Sequence, residues 1–405
     1  MVSKQILAQK FDLTIFIFGF YFYPQKEKMS RLLALTFLCF IFFKCNKIFS
    51  TDQSKTFHPC TTDFQIRSIK KGNVNYINLI PTNNKVSTIP IQFNQDDPSH
   101  FSDGLAAVKI GTKWGYIDKI GNVFIQPTFD LAVSFSEGFA AVRVGDQWGY
   151  IDGNGSFIIK PQFDVLFPGY FQEGLVAVKI GNKYGYIDRT GSIVIKPQFE
   201  DVYFFSEGLA AVKIDTKWGY IDKTGKIIIK PQFEASSDEI IFSDGLASVW
   251  NGTKYVYINK TGKIIIEPQS DEVYAFRFSE GLTMVEIGDR WRYMDKTGKL
   301  VIESKFDSID LFHEELASVR VGDKWGYINK TGSFVIKPQF DSARSFSQGF
   351  AAVEVKEKWG YINKTGNFVI KPQFDSARSF SDGLAAVKMK GKWGYIDFEN
   401  CLEEK

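Results

Sequence analysis

Three histidines, His58, His100 and His313, are the only imidazoles in 405 residues, and they stand far apart without a shared motif. Imidazole is the commonest general base and metal ligand near neutral pH, so a histidine-based catalytic or metal site is not expected. Asp-Lys-Thr-Gly recurs at 222–225 and 295–298. It lacks the glycine-rich length of a phosphate loop and the alternating oxygens of a calcium loop, and Asp and Gly are residues of tight turns. Asn-Lys-Thr at 259–261, 329–331 and 363–365 fits a glycosylation sequon, but it arises wherever Asn takes the place of the turn Asp. Carboxylates in Ser-Glu-Gly and Phe-Asp keep a fixed register along the chain. A catalytic pair would break that register at one place, and none visibly does. No catalytic, cofactor-binding or metal-ligating residue is therefore assigned. A row of lysines, Lys160, Lys196, Lys230, Lys337 and Lys371, reads either as a basic stripe for an acidic polymer or charged partner, or as a solvated strand edge. Arg344 and Arg378 invite the same two readings.

These residues must be placed by the elements around them, and composition bounds those elements. Aromatic residues make up 16% of the chain and glycine contributes 34 residues. With 44% hydrophobic and 23% charged residues, the chain carries enough apolar surface to offset ordering entropy. The net charge is +3, from 49 basic and 46 acidic side chains, which argues against nucleic-acid binding through a bulk basic patch. Four cysteines do not make a disulfide scaffold at this length.

The pairing of aromatics with glycines resolves into a repeat. One aromatic station is filled by Trp114, Trp148, Tyr184, Trp218, Tyr255, Trp291, Trp325, Trp359 and Trp393. Most intervals are 34 residues; the three that begin at Trp148, Trp218 and Tyr255 are 36, 37 and 36. The spacing from the motif glycine to this station is always 10, with Glu315 standing where the other copies have Gly, and from the station to the Pro position it is always 13. The extra residues fall between that Pro and the next motif Gly: the gap is 11 in most copies, 13 after Pro161, 14 after Pro231 and 13 after Pro268. Each copy is thus a rigid unit joined to the next by a variable crossover, and insertions collect where few contacts cross. A degenerate first copy is expected over 64–93, where Val74-Asn75-Tyr76-Ile77-Asn78 fits the aromatic frame and Ile91-Gln92-Phe93 the later Pro-Gln-Phe. Nine clear copies run from about 101. Phe334–Ser347 and Phe368–Ser381 are identical, which points to a recent duplication.

Three strands fit each unit: Leu105–Ile110, Trp114–Asp118 and Val123–Ile125, separated by short Gly-containing loops that read as hairpins. A short fourth strand is expected within 340–346. Alternation puts Trp, Tyr and Asp of the second strand on one face, and Gly and Ile on the other. The expected packing sets Trp and Tyr of one unit into the shallow area left by Gly and Ala of its neighbour. Phe163, Phe199, Phe233, Phe340 and Phe374, with Phe101, Phe135, Phe205 and Phe380, are expected to close the core. Such strict register favours packing over a carbohydrate platform of exposed aromatics.

At Lys-Trp-Gly-Tyr-Ile-Asp, residues 113–118, 217–222 and 392–397, the chain resembles the bacterial WG-repeat, or KWG-repeat, family. The resemblance covers about 64–397; Tyr184, Tyr255 with Val256, Trp291 with Arg292, and Glu315 depart from it. It implies an all-β repeat module of bacterial, often surface or exported, proteins, and no common enzymatic activity. The expected architecture is an all-β tandem array of three- to four-stranded meanders, propeller-like, with an open β-superhelix or solenoid as the alternative.

The first fifty residues hold two apolar runs, 14–23 and 32–43, each short of the roughly 20 residues a membrane-spanning helix needs. Met29-Ser30-Arg31, the apolar run and a polar end to Ser50 have the build of a secretory signal. Residues 1–28 then read as an upstream extension, 29–50 as the signal segment, 51–63 as a linker and 398–405 as a tail. The rival reading is a two-segment membrane hairpin. Cys45 follows the apolar core as a lipidated Cys would, although Lys44 stands where a small residue is expected. The expected function is non-enzymatic binding or scaffolding, exported (periplasmic, cell surface or secreted) or envelope-associated, toward a protein or glycan partner met by the variable loops. Membrane attachment, if any, is expected through the N-terminal segment alone. The alternatives are a structural spacer of the envelope, and an enzyme with its site in one irregular repeat.

Overall fold

The computed structural model describes residues 64–71, 74–81, 88–89, 99–163, 169–234, 240–268, 273–287, 290–303 and 306–397. The expected signal segment, linker and tail, with His58 and Cys45, lie outside them. No helix among the described residues is long and apolar enough to cross a membrane.

The described residues begin with β1 (Phe64–Lys71), β2 (Val74–Pro81) and β3 (Thr88–Ile89). The first unit follows as β4 (Leu105–Ile110), β5 (Lys113–Asp118) and β6 (Val123–Phe129). β4 pairs with β5 from Leu105↔Asp118 to Ile110↔Lys113. β6 pairs with β5 at Trp114↔Phe129, Tyr116↔Ile125 and Ile117↔Val123, with register shifts between these pairs. The shift passes through Gln126-Pro127, and a bulge is where a residue without an N–H can sit in a strand. Antiparallel meanders of this kind recur over 131–163, 175–199, 201–233, 246–266, 273–302, 308–340, 342–374 and 376–397, here called units 2 to 9. The expected fourth strand is the two-residue segment Ser342–Ala343. It pairs with Glu354 and Val353 and so leads unit 8 rather than ending unit 7.

The second-strand glycine has a different reason from the expected one. A Cβ on Gly115 would lie 2.5 Å from the Ile125 carbonyl oxygen and 2.8 Å from Pro127 N. Gly149, Gly185, Gly219, Gly326 and Gly360 meet the same obstacle in their own units. The glycine admits the bulged third strand of its own sheet; it is not a berth for a neighbour's aromatic ring. The alanines do serve the neighbour. Ala140, Val142 and Ile151 of unit 2 pack with Tyr116, Ile125 and Phe135 around the first junction.

Burial also ranks the two aromatic stations. Tyr116, Tyr150, Tyr186, Tyr220, Tyr257, Tyr293, Tyr327, Tyr361 and Tyr395 are among the largest fully buried side chains. At the Trp station, Trp148, Trp218 and Trp393 are buried, while Trp114, Trp325 and Trp359 are half-buried. Each of the nine tyrosines meets the Phe that precedes the next motif turn. Eight of these contacts are close to edge-on, from Tyr116–Phe135 at 4.8 Å to Tyr150–Phe171 at 5.3 Å, and Tyr293–Phe312 is tilted at 4.9 Å. Edge-to-face pairs at this separation add to the area term.

The array closes on itself. β3 pairs with the second strand of unit 9 at Thr88↔Ile396 and Ile89↔Tyr395, where every earlier unit places its own third strand. Phe101, Ala106, Val108 and Ile117 of unit 1 share a core with Leu384, Ala386, Trp393 and Tyr395 of unit 9. The Tyr395 hydroxyl donates to the Ser99 carbonyl at 2.6 Å. The nine units thus form a propeller-like ring rather than an open superhelix. The segment read as a degenerate first copy is divided: β1 and β2 pair with each other, and β3 completes unit 9.

Candidate functional site

Repeating side-chain contacts occupy most of the residues that could have carried chemistry. The Ser-Glu-Gly-Leu segment folds as a two-residue hairpin turn, with Ser102 bridging Leu105. Its central residues both take positive φ, 53° at Asp103 and 81° at Gly104. That is a type I′ turn, which suits right-twisted strands but strains a non-glycine at its first centre. The strain coincides with a bond between units. The Asp103 carboxylate accepts the Gly138 N–H of the next unit at 2.7 Å. Glu137, Glu173, Glu207, Asp244, Glu280, Glu314, Gln348 and Asp382 accept the corresponding N–H in turn, Gln348 through its amide oxygen and Glu280 from Glu315, and the last reaches Gly104 at 2.9 Å to close the circle. A basic residue of the following unit covers several of these acids: Arg189 on Glu137, Lys223 on Glu173, Lys260 on Glu207, Lys330 on Glu280 and Lys364 on Glu314, at 2.8–3.2 Å. An open depression lined by Glu137, Glu173, Asp188, Arg189 and Thr190 lies along this circle. The acids at this station are clasps.

The Asp-Lys-Thr-Gly segment is the expected turn. Asp222 Oδ1 accepts the Thr224 N–H at 2.9 Å, the Thr224 hydroxyl at 2.6 Å and the Lys226 N–H at 3.1 Å. The Thr224 hydroxyl bond foremost holds the Asp222 carboxyl below the usual carboxylate range. Asn329 and Asn363 accept the same bonds through their amide oxygens. The turn needs one acceptor oxygen, not a charge, so the sequon there follows from turn geometry.

The basic residues divide in two. Arg344 lies over the Trp359 ring at 5.0 Å and donates to the Ala377 carbonyl at 2.9 Å, and Arg378 lies over Trp393 at 5.7 Å. Both serve the packing of the ring. Lys160, Lys196, Lys230, Lys337 and Lys371 are exposed on the third strands. Beside them, the first residues of these strands leave apolar side chains in water, among them Phe124 at 54% and Ile193 at 53% exposure.

One region breaks the register, and it was missed as a cluster because its members differ in type. In unit 7 Asp310, His313 and Glu315 stand where unit 8 has Arg344, Ser347 and Gly349. Glu315 takes φ 72° at the glycine position. The Asp310 carboxylate accepts the Ser345 hydroxyl of unit 8 at 2.6 Å. His313 is partly buried. Burial pulls its pKa below the ordinary value, against the pull of Asp310, Glu280 and Glu314, with Arg277 adding to the lowering. Aligning the units, rather than scanning for a local motif, is the signal that finds this cluster. His100 lies at the start of unit 1, far from it in the chain. Among the described residues, no group of three or more His, Cys, Asp or Glu is placed to hold a metal ion.

The model of the WG containing repeat matches eight consecutive segments, 114–148, 148–184, 184–218, 218–255, 257–291, 291–325, 325–359 and 359–393. The chain belongs to the WG-repeat family. Among curated proteins, none matches it in sequence. Of solved structures, it is similar to the WD40 domain of SCAP from fission yeast (9% identity, 78% of this chain and 99% of that one, TM-score 0.40). It is also similar to apo AztD from Citrobacter koseri (14%, 72% and 96%, TM-score 0.37), and to Hsv2p of Kluyveromyces lactis (9%, 57% and 92%, TM-score 0.37). In the family's own terms, the WG glycine is the residue that lets the bulged strand pass, and the tyrosine after it is the buried hub of each junction.

The crossovers that carry the extra residues show how this WG-repeat protein absorbs them. The tyrosine hydroxyl meets a carbonyl 17 residues ahead at regular junctions, as Tyr116 meets Val133 and Tyr327 meets Arg344. Across the three long crossovers the offset becomes 19 for Tyr150–Gly169, 20 for Tyr220–Ile240 and 19 for Tyr257–Phe276. The offset grows by the two or three residues that each crossover adds, and the clasp re-forms after them.

Proposed function

We propose that this WG-repeat protein is a non-enzymatic binding ring that meets a protein or glycan through the crossovers after Pro161, Pro231 and Pro268. The observation that carries the reading is the shifted tyrosine offset. These crossovers vary in length while the bond that ends them does not, so the ring holds its geometry and leaves the loops free to diverge. Each of the three follows the third strand of its unit, after Phe163, Phe233 and Ile266. The repeated polar residues of the motif turns, meanwhile, are engaged in holding the ring together. The signal-like segment 29–50 supports export to the envelope or beyond.

The test shortens the three crossovers to the 11-residue Pro-to-Gly spacing of the other units. Circular dichroism and melting should stay near wild type, while retention on envelope protein and glycan extracts should disappear. Retention unchanged in the folded variant would overturn the loop reading and favour a spacer. For export, mass spectrometry of the mature chain should find an N-terminus after residue 50; residues 1–50 still attached in a cytoplasmic fraction would refute it.

A further inference from the structure

We propose that one arc of this ring, units 9 and 1 to 4, binds an acidic polysaccharide through a row of cations set on its aromatic stations. This builds on the reading of the chain as a binding ring and narrows the partner to one class. In every unit one residue pairs with the Trp station across the hairpin, close to the turn that joins the two strands, as Lys109↔Trp114 does. In five consecutive units this residue is basic: Lys388, Lys109, Arg143, Lys179 and Lys213. In units 5 to 8 it is Trp250, Glu286, Arg320 and Glu354. The hairpin accepts an aromatic, an acid or a base at this station, so its fold does not demand five cations in succession.

Packing holds these cations without neutralising them. Arg143 lies over the Trp148 ring at 5.9 Å, Lys179 over Tyr184 at 5.5 Å and Lys388 over Trp393 at 5.8 Å. Such a contact orients the charge and leaves it in place. Arg143, Lys179, Lys213 and Lys388 make no ion pair or side-chain hydrogen bond among the described residues. The acids beside them in the crossovers are already taken: Asp130 by Lys113 at 2.6 Å, Glu200 by Lys183 at 3.4 Å and Asp375 by Lys358 at 2.7 Å. Three other acids share this end of the arc, Asp201 in register with Lys213 and the turn residues Asp146 and Asp215. Unit 9 adds Lys390 and Lys392 in its own turn, both exposed, so the cations outnumber the acids.

The form of the row selects the occupant. Equivalent residues of successive units lie on a circle, so the row is a curved and evenly spaced track. Duplex DNA is stiff over about 50 nm and does not follow such a curve. Single-stranded nucleic acid stacks its bases on open aromatic faces, and here cations cover three of those faces. A flexible polymer with a carboxylate or sulfate on each sugar needs only cations at regular intervals, which the row supplies. Glu234, in the crossover after Pro231, holds Lys217 of the unit 4 turn at 2.6 Å, so that crossover and the row share one end of their sheet.

The test measures binding of the full chain to alginate, a polyuronate, at low and high salt, with neutral dextran and single-stranded oligo(dT) as comparison probes. The wild type should bind alginate, ignore dextran and lose affinity as salt rises. Lys179→Gln/Lys213→Gln/Lys388→Gln should lower the alginate affinity about tenfold or more. Lys196→Gln/Lys230→Gln/Lys371→Gln removes the same charge from the third strands and should stay near wild type. Circular dichroism checks that both variants are folded. A wild type that ignores alginate, or binds oligo(dT) more tightly, overturns the proposal. So does a loss confined to the third-strand variant. The ring with shortened crossovers keeps every cation and should bind alginate as wild type does; a loss there also overturns the row. A wild type retained by envelope extracts but not by alginate would sink this inference alone and leave the binding reading standing.

Discussion

Between units 8 and 9, Tyr361 donates to the Arg378 carbonyl at 2.8 Å, Ser347 to the Phe380 carbonyl at 2.7 Å, and the Gly383 N–H to Gln348 Oε1 at 2.9 Å. Between units 6 and 7, Tyr293 donates to the Asp310 carbonyl at 2.6 Å, Ser279 to the Phe312 carbonyl at 2.7 Å, and the Glu315 N–H to Glu280 at 3.0 Å. The bonds are the same although the side chains around them are not. Two of the three end on a backbone carbonyl and one begins on a backbone N–H, so side-chain identity on that side of the bond is unconstrained. Charge is optional as well. A neutral Gln348 serves one junction, while Glu280 with Lys330 and Glu315 serves the other. There burial works against the Lys330 ammonium, but hydrogen bonds to Glu315 and Glu280 outweigh it and raise its pKa.

If the tyrosine clasp is common to both junctions, truncating it should cost much the same at each. Tyr361→Ala and Tyr293→Ala each remove a fully buried ring and its hydroxyl bond, so each should lose about 3–5 kcal/mol in chemical denaturation. Trp218→Ala, a buried member of the Trp station packed on Tyr203 at 5.3 Å, belongs in the same range. A cost for Tyr293 far below that for Tyr361 would show that the irregular junction is held by something else.

The motif turn separates the two regions more sharply. Gly349 has φ 85° and nothing within 4 Å of an added Cβ, so Gly349→Glu meets backbone strain and no clash. It should cost about 1–2 kcal/mol. Glu315→Gly, the reverse change at φ 72°, should gain stability by somewhat less, because it also removes the ion pair with Lys330. Thermal midpoints that move the same way in both variants would contradict this reading.

Much of the ring was legible from register alone. The strands, the turns, the buried Phe stations and the placement of the insertions follow from fixed spacing, because each station repeats one environment. Two things were not. The purpose of Gly115 is a backbone-to-backbone approach across a bulge, and sequence does not display a bulge. Closure was equally hidden, since β3 and unit 9 stand at opposite ends of the chain and their pairing leaves no local pattern. The site is harder still: a cluster made by three unlike substitutions becomes visible when Asp310, His313 and Glu315 are set beside Arg344, Ser347 and Gly349.

His313 gives the irregular region a pH response that the serine at 347 cannot have. Its folded pKa lies below its unfolded value, chiefly through burial. The neutral imidazole is therefore stabilising above the unfolded pKa of about 6.5. That contribution is lost as the pH falls below 6.5 toward the folded pKa, because the unfolded chain takes up the proton first. Denaturation from pH 7 to pH 5 should show wild-type stability falling, and His313→Ser should flatten that part of the curve. An unchanged slope in the variant would place the titration elsewhere.

The smallest effect concerns the turn that follows the second strand. Asp295 in unit 6 and Asn363 in unit 8 accept the same three bonds, from a Thr N–H, a Thr hydroxyl and the N–H four residues on. The Thr297 hydroxyl bond foremost lowers the Asp295 carboxyl pKa. A carboxyl depressed in the folded state contributes above its unfolded pKa of about 4, and that contribution is lost as the pH falls through the folded value. Asp295→Asn keeps the acceptor and removes the titration, so its stability at pH 7 should match wild type closely. Below pH 4 the variant should hold the turn where wild type begins to lose it. The carboxyl is solvent-exposed and screened, so the difference is best read as thermal midpoints of the two proteins converging at neutral pH and separating in acid. Midpoints that separate at pH 7 instead would mean that the charge, rather than the oxygen, makes the turn.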